Sequence, residues 1–183
     1  MQKLHNTKAL TLDSVAIEPR YSTILKEDTI DLEIDDKAPI WASSDNATGT
    51  IEIAEALSEA KIGTLLSTRY DIDELYNFFF EEKPYVAISI GDTEGQIHKW
   101  NQLKSKLPAG KIHYVNLVTQ NAHSIEYIYK VAKFKEENKD VKIIAGPVSD
   151  PTATRKLFEV GAEITRMGFD ARFDNGNFME TGV

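Results

Sequence analysis

The chain has 183 residues, 42% of them hydrophobic, with 29 acidic against 21 basic side chains and no cysteine. The formal charge of -8 leaves no dense array of cations to neutralise phosphates, so nucleic acid is not an expected partner. Without cysteine there are no disulfides, thiolate metal sites or thiol nucleophiles. A reducing, cytoplasmic location is expected, and no segment approaches the ~20 apolar residues of a membrane span or forms a secretory leader.

In chain order, residues 1–38 read as a polar N-terminal wrap, residues 39–169 as successive βα units and residues 170–183 as an aperiodic loop tail of one single domain. Residues 39–44 form the first expected strand, followed by a helix from about Thr50 in which Ile53, Ala54 and Leu57 recur at three- and four-residue spacing. Residues 62–66 make the second strand. Its helix begins at Asp71, whose carboxylate is placed to accept the Glu74 amide while Glu74 reaches back, and Ile72, Leu75, Tyr76 and Phe79 form its inner face. The third strand, 85–90, is closed by Gly91, and a helix through Ile97, Trp100 and Leu103 stops before Pro108.

Residues 112–118 are the fourth strand. A helix capped near Ser124 turns Tyr127, Ile128, Val131 and Phe134 inward and Lys133, Lys135, Glu136 and Glu137 to solvent. Residues 141–145 are the fifth strand, and Asp150 followed by Pro151 starts a helix running to Gly161, because proline lacks an amide that the first turn leaves unpaired anyway. Residues 162–167 are the sixth strand. Strands separated by helical stretches of this length pair in parallel through right-handed crossovers, so the class is α/β; barrel and open sheet are not separated by the pattern itself. Phe78, Phe79, Phe80 and the two tryptophans have the spacing of core residues.

Several segments carry a resemblance. Leu10-Thr11-Leu12-Asp13-Ser14-Val15 with Pro19-Arg20-Tyr21-Ser22-Thr23, then Pro39-Ile40 and Gly49-Thr50-Ile51-Glu52-Ile53-Ala54, occur in order with Gln120-Asn121-Ala122-His123-Ser124, Ile143-Ile144-Ala145-Gly146, Gly161-Ala162-Glu163 and Thr181-Gly182-Val183. Together they resemble the IMP dehydrogenase / GMP reductase family, with Gly49-Thr50 closer to the GMP reductase branch. The resemblance implies a partial TIM-barrel-like (β/α) parallel sheet holding about six of the eight βα units. It also implies that the chain stops two strands short, which makes it a shortened protein or a fragment of a longer one.

Family members attack purine C2 with a cysteine in a glycine-rich loop after the sixth strand and exchange hydride with a nicotinamide cofactor. Here that loop runs Gly168-Phe169-Asp170-Ala171-Arg172-Phe173-Asp174-Asn175, and Asn175 falls at the cysteine position. An amide is no nucleophile, and losing a covalent nucleophile costs on the order of 10⁴ to 10⁶ in turnover. Ala171, Arg172 and Phe173 replace residues that allow close backbone approach to a phosphate. Ser67 and Thr68 stand at the family's His-Lys pair, Val118 at its aspartate, and Ser44-Asp45-Asn46 at its Asn-Met-Asp loop.

The resemblance therefore implies a non-catalytic relative with no catalytic residues and no cofactor; NADPH or NAD would be the cofactor if the family activity survives. The candidate ligand-binding residues are Asn46, Asn121, His123, Gly146 and Gly168, with a purine nucleotide as the ligand. Asn46 and Asn121 have a turn role as their alternative, and His123 a role as a polar cap. Arg166 and Arg172 are candidates to meet a phosphate, Arg166 having a carboxylate partner as its alternative. His5, His98 and His113 have no ligand-spaced companion, so no metal is expected. Open edges on a shortened sheet call for cover, so a homo- or hetero-oligomer is the expected partner arrangement.

Overall fold

The computed structural model describes Tyr21 and residues 40–167. The N-terminal wrap, apart from Tyr21, and the loop tail lie outside the described residues, as do Gly168, Arg172 and Asn175.

Six strands, β1 (Trp41–Ala42), β2 (Gly63–Leu65), β3 (Val86–Gly91), β4 (Tyr114–Val118), β5 (Lys142–Val148) and β6 (Ile164–Met167), alternate with five helices. The helices are α1 (Ile51–Ser58), α2 (Ile72–Phe79), α3 (Glu94–Lys106), α4 (Ile125–Glu137) and α5 (Pro151–Glu159). The strands lie in the order β1-β2-β3-β4-β5-β6, and every neighbouring pair is parallel. That order separates what the sequence pattern leaves open. A doubly wound sheet reverses direction at a switch point, whereas here each right-handed crossover steps one place the same way and lays its helix on the same face. The result is a curled half-barrel with helices outside and a concave inner face.

Side chains alternate across this sheet with period two. Val86, Ile88, Ile90, Val115, Leu117, Ile143 and Ala145 face the helices and join Leu75, Phe79, Trp100, Val131 and Leu157 in the main core. Leu65, Ala87, Tyr114 and Ile144 face the concave side, where Trp41 and Ile164 pack on them and Trp41 meets Tyr114 edge to face at 5.2 Å. Trp41 also covers Gly63, where an added Cβ would come within 2.3 Å of the indole.

The helix starts follow local chemistry. The side chains of Thr50, Asp71, Ser124 and Asp150 each accept the amide three residues on, and Asp71 with Glu74 completes a reciprocal capping box. Three expectations are corrected. The first strand covers two residues instead of 39–44, because Asp45 accepts the amides of Ala47 and Thr48 and Thr48 Oγ1 donates to the Ser43 carbonyl, turning the chain away from the ladder. Phe80 is 57% exposed, since three consecutive helical residues cannot share one face. Lys135 is not a solvated residue: its ammonium donates to the Val141 carbonyl at 2.9 Å and pairs with Glu163.

Helix α4 is fastened at both ends. Near its start the buried Tyr127 hydroxyl donates to the Leu117 carbonyl at 2.7 Å and accepts the Gly146 amide at 3.1 Å, linking β4 to β5. At its end the buried Asn138 accepts Trp100 Nε1 at 2.9 Å and donates to the Phe134 carbonyl at 2.9 Å. Asn138→Ala leaves the buried indole N–H of Trp100 without its acceptor, so an unfolding free energy lower by about 2 kcal/mol is expected in urea titration; an unchanged midpoint and slope would refute that assignment.

Burial pushes the Tyr127 pKa up to about 12. A folded-state value above the ordinary one near 10 means the stabilisation is complete below about pH 10 and is lost as pH rises through about 12. Stability measured between pH 8 and 12 should therefore fall more steeply for the wild type than for Tyr127→Phe, the gap shrinking by about 2 kcal/mol. Parallel curves for the two proteins would rule this out.

Candidate functional site at the carboxyl mouth of the half-barrel

In parallel α/β sheets, the loops leaving the carboxyl ends of the strands meet at one end, and that end is where such folds build sites. Here those loops carry nearly all the described residues singled out in the sequence, and they fall into three groups.

At the first corner Ser67 Oγ donates to Asn46 Oδ1 at 2.7 Å. The approach is close because Gly49 lies between them in the chain path: the Ser67 amide donates to the Gly49 carbonyl at 2.8 Å, and an added Cβ on Gly49 would sit 2.6 Å from the Leu65 carbonyl oxygen. Asn46 is exposed and Ser67 buried, so Asn46 caps a buried hydroxyl. Thr68 follows at the rim. Its carbonyl and that of Tyr70 accept the Lys99 ammonium, and burial lowers the Lys99 pKa from its ordinary value.

At the centre Gly91, Val118 and Gly146 are aligned on neighbouring strands. Val118, two residues beyond Asn116 and four beyond Tyr114, lies on the concave face by alternation. It is an isopropyl group flanked on both strands by bare backbone. Below it Asn116 donates to Ser89 Oγ at 2.8 Å, both fully enclosed. Gly146 has φ +133, and an added Cβ would come 2.6 Å from the Arg166 carbonyl oxygen, so glycine is required for β6 to close on β5.

Arg166 reaches over that glycine. Its Nη2 donates to the Gly146 carbonyl at 3.1 Å, its Nε is buried with no hydrogen-bond partner, and burial holds the guanidinium pKa below its ordinary value. Of the two alternatives in the sequence, the carboxylate partner is absent among the described residues.

The third group lies over β4 and β5. The Asn121 side chain accepts the His123 amide at 3.1 Å, and His123 Nε2 accepts the Ser149 amide at 3.1 Å and lies 3.3 Å from Ser149 Oγ. An amide donor requires that ring nitrogen to be unprotonated. His123 thus ties the loop after β4 to the loop before α5. Asn46 and Ser67 form one pair and Asn121 and His123 another; no hydrogen bond among the described residues joins the two. Sequence reasoning passed over Asp92, whose carboxylate takes Thr119 Oγ1 at 3.2 Å and Lys130 at 3.4 Å, although an aspartate directly after a strand-closing glycine was a usable signal. It also missed the Tyr127 bridge, for which a tyrosine on an inward helix face gave no local cue.

Chemically the described mouth offers amides, hydroxyls, the His123 imidazole, the Asp92 carboxylate and two cations that burial disfavours, Lys99 and Arg166. Among the described residues no group of three His, Asp or Glu side chains could hold a metal ion, and no helix is long and apolar enough to cross a membrane.

No protein-family model matches the chain. Among curated proteins it is 27% identical over 182 residues to a GMP reductase of Caenorhabditis elegans, covering 92% of this chain and 50% of the relative. It is 24% identical over 184 residues to a GMP reductase of Onchocerca volvulus, with the same coverage. A GMP reductase of Klebsiella pneumoniae is 26% identical over 188 residues, 95% of this chain and 54% of its own length. The chain spans about half the length of the curated relatives it matches. With a half-barrel of matching αβ order and similarity along nearly all of its own length, the chain is a distant relative of the GMP reductase / IMP dehydrogenase family.

Proposed function

We propose that this chain is a non-catalytic GMP reductase-like protein that keeps the family scaffold and acts through assembly with a partner. One observation carries the reading: Val118, at the family's aspartate position, stands at the middle of the mouth between Gly91 and Gly146, so an apolar side chain occupies the place of a carboxylate. Its neighbours agree. Ser67, at the family's histidine position, spends its hydroxyl on Asn46, and Thr68, at the lysine position, supplies a neutral hydroxyl where the family has an ammonium. Asn175, at the cysteine position by the sequence correspondence, brings an amide. Neither a hydroxyl nor an isopropyl group delivers a proton at neutral pH, and no cofactor has hydride chemistry to perform without the covalent intermediate. The partner side of the proposal rests on β1 and β6, the two edge strands of the described sheet, whose outer ladder groups have no partner strand among the described residues.

A second reading has its own observation. Arg166 is a largely buried guanidinium at the mouth with no carboxylate partner among the described residues, and a buried cation is stable only when an anion or strong acceptors offset its desolvation. A purine nucleotide whose phosphate lies over Gly146 and Arg166, with Asn46, Asn121 or His123 at the base or ribose, would supply that anion.

The purified chain incubated with GMP and NADPH, and separately with IMP and NAD, should give no absorbance change at 340 nm above background; turnover would overturn the non-catalytic reading. Light scattering should give a dimer or larger species, and a monodisperse monomer counts against assembly. For the second reading, millimolar GMP or IMP should raise the thermal midpoint by several degrees, and Arg166→Met should remove at least nine-tenths of the shift. No shift with either nucleotide sinks the nucleotide reading alone.

A further inference from the structure

Helix α4 buries Tyr127, Val131 and Phe134 and turns two large apolar side chains the other way: Ile125 is 81% and Tyr129 76% exposed. Single apolar residues on a surface need no explanation, but these two follow one another at i, i+4, and Lys133 extends the same row by another turn. Beside it runs a second row, Glu126 and Lys130, whose ion pair at 2.8 Å is anchored to Asp92 at 3.4 Å. Between the two rows lies an open hollow of about 470 Å³, lined by Ile125, Glu126, Tyr129, Lys130 and Lys133.

We propose that this face of α4 is a dimer interface, across which α4 of a second copy of the chain packs antiparallel about a two-fold axis at Tyr129. The proposal rests on the reading of the chain as an assembling protein and assigns a contact on the helical face, apart from the edge strands.

Rows of residues four apart are the ridges by which helices most commonly pack, a ridge of one lying in a groove of the other at a crossing angle of about −50°. The row Ile125, Tyr129 and Lys133 is such a ridge, and the hollow beside it is such a groove. Each copy therefore presents both halves of the contact. A two-fold axis requires this, because residue i of one copy meets j of the other while j meets i.

Charge selects the occupant. With the axis at Tyr129, an antiparallel copy sets its Lys133 beside Ile125 and Glu126. The lysine stem covers the isoleucine while its ammonium reaches the carboxylate, and the same pair forms again on the other side of the axis. Lys133 is exposed and makes no ion pair among the described residues. A parallel copy would instead face Lys133 with Lys133 and Glu126 with Glu126, which repel. At the centre the two Tyr129 rings meet, adding ring contact beyond the area they cover. Few residues are covered, which puts the contact at the low end of specific interfaces, so a reversible dimer with a dissociation constant in the micromolar range is expected.

The test is sedimentation equilibrium of the full chain in about 0.15 M salt, where repulsion between distant charges is screened beyond about 8 Å and pairs in contact persist; each copy carries a formal charge of -8. The wild type should form a reversible dimer. Tyr129→Glu, which sets two carboxylates at the axis, should be monomeric at every concentration at which the wild type is dimeric. Lys133→Glu, which faces Glu126 with a second carboxylate, should weaken association at least about tenfold. Combining it with Glu126→Lys exchanges the two charges, keeps a carboxylate within helical reach of Lys130, and should restore wild-type association. All three positions are exposed, so circular dichroism and thermal midpoints should not move; if Tyr129→Glu does not fold, the charge exchange decides. A monomeric wild type overturns the proposal together with the assembly reading. A dimer indifferent to Tyr129→Glu overturns the α4 contact alone and leaves assembly through the edge strands, and loss in Lys133→Glu without recovery on exchange overturns the antiparallel pairing.

Discussion

Everything at the mouth depends on the parallel ladder running from β3 through β5. Its register places Gly91, Val118 and Gly146 abreast at the carboxyl end, and a shift of one residue would turn every side chain in the layer to the other face. The Tyr127 hydroxyl locks that register from outside the sheet by bonding the Leu117 carbonyl on one strand and the Gly146 amide beyond the other's core. Because the lock sits on α4, the helix that follows β4, the position of Val118 and the approach of Arg166 over Gly146 are both tied to how α4 packs. The packing is in turn secured at its far end by Asn138 and Trp100. Fold and site are thus not separable along this stretch: the same helix that covers the core holds the mouth in shape.

The fold was legible in the sequence because its signals are local and repeated. Asp71 with Glu74, Ser124 and Asp150 with Pro151 each announce a helix through side-chain groups that satisfy its unpaired amides, and the short apolar runs between them can only be strands covered on one face by helices. What the pattern could not supply was the direction of each crossover, since periodicity carries no information about strand order; the half-barrel is read from the ladder. Edges were likewise out of reach. The first strand shrinks to two residues because of turn chemistry at Asp45 and Thr48, which competes with the ladder without altering the hydrophobic pattern.

The site was legible to a lesser extent, and for a physical reason. A position such as Val118 or Thr68 carries meaning only against an expected motif, whereas Tyr127, Asp92 and Arg166 act through partners more than ten residues away in the chain: Gly146, Lys130 and again Gly146. No window of sequence holds both ends of such a contact. Asn46 and His123 were found as residues but not as roles, since their partners Ser67 and Ser149 lie 21 and 26 positions away.

Two kinds of constraint act on this scaffold, and they leave different traces. Residues that hold the barrel geometry are fixed by their neighbours: Gly146 because β6 closes within contact distance of it, Gly49 because the first loop folds onto β2, Trp41 because it roofs Gly63. Side chains at the mouth, such as Val118, have fewer such neighbours to satisfy. Val118 stands between two glycines whose neighbouring strands offer it only backbone, and Ser67 at the first corner is bonded to Asn46. Replacement at the mouth is therefore cheap in folding free energy, while replacement one layer below, at Ser89 and Asn116 where each side chain meets the other out of reach of solvent, is not. The close glycine contacts and the buried polar pair are the features of this half-barrel that folding stability itself holds in place.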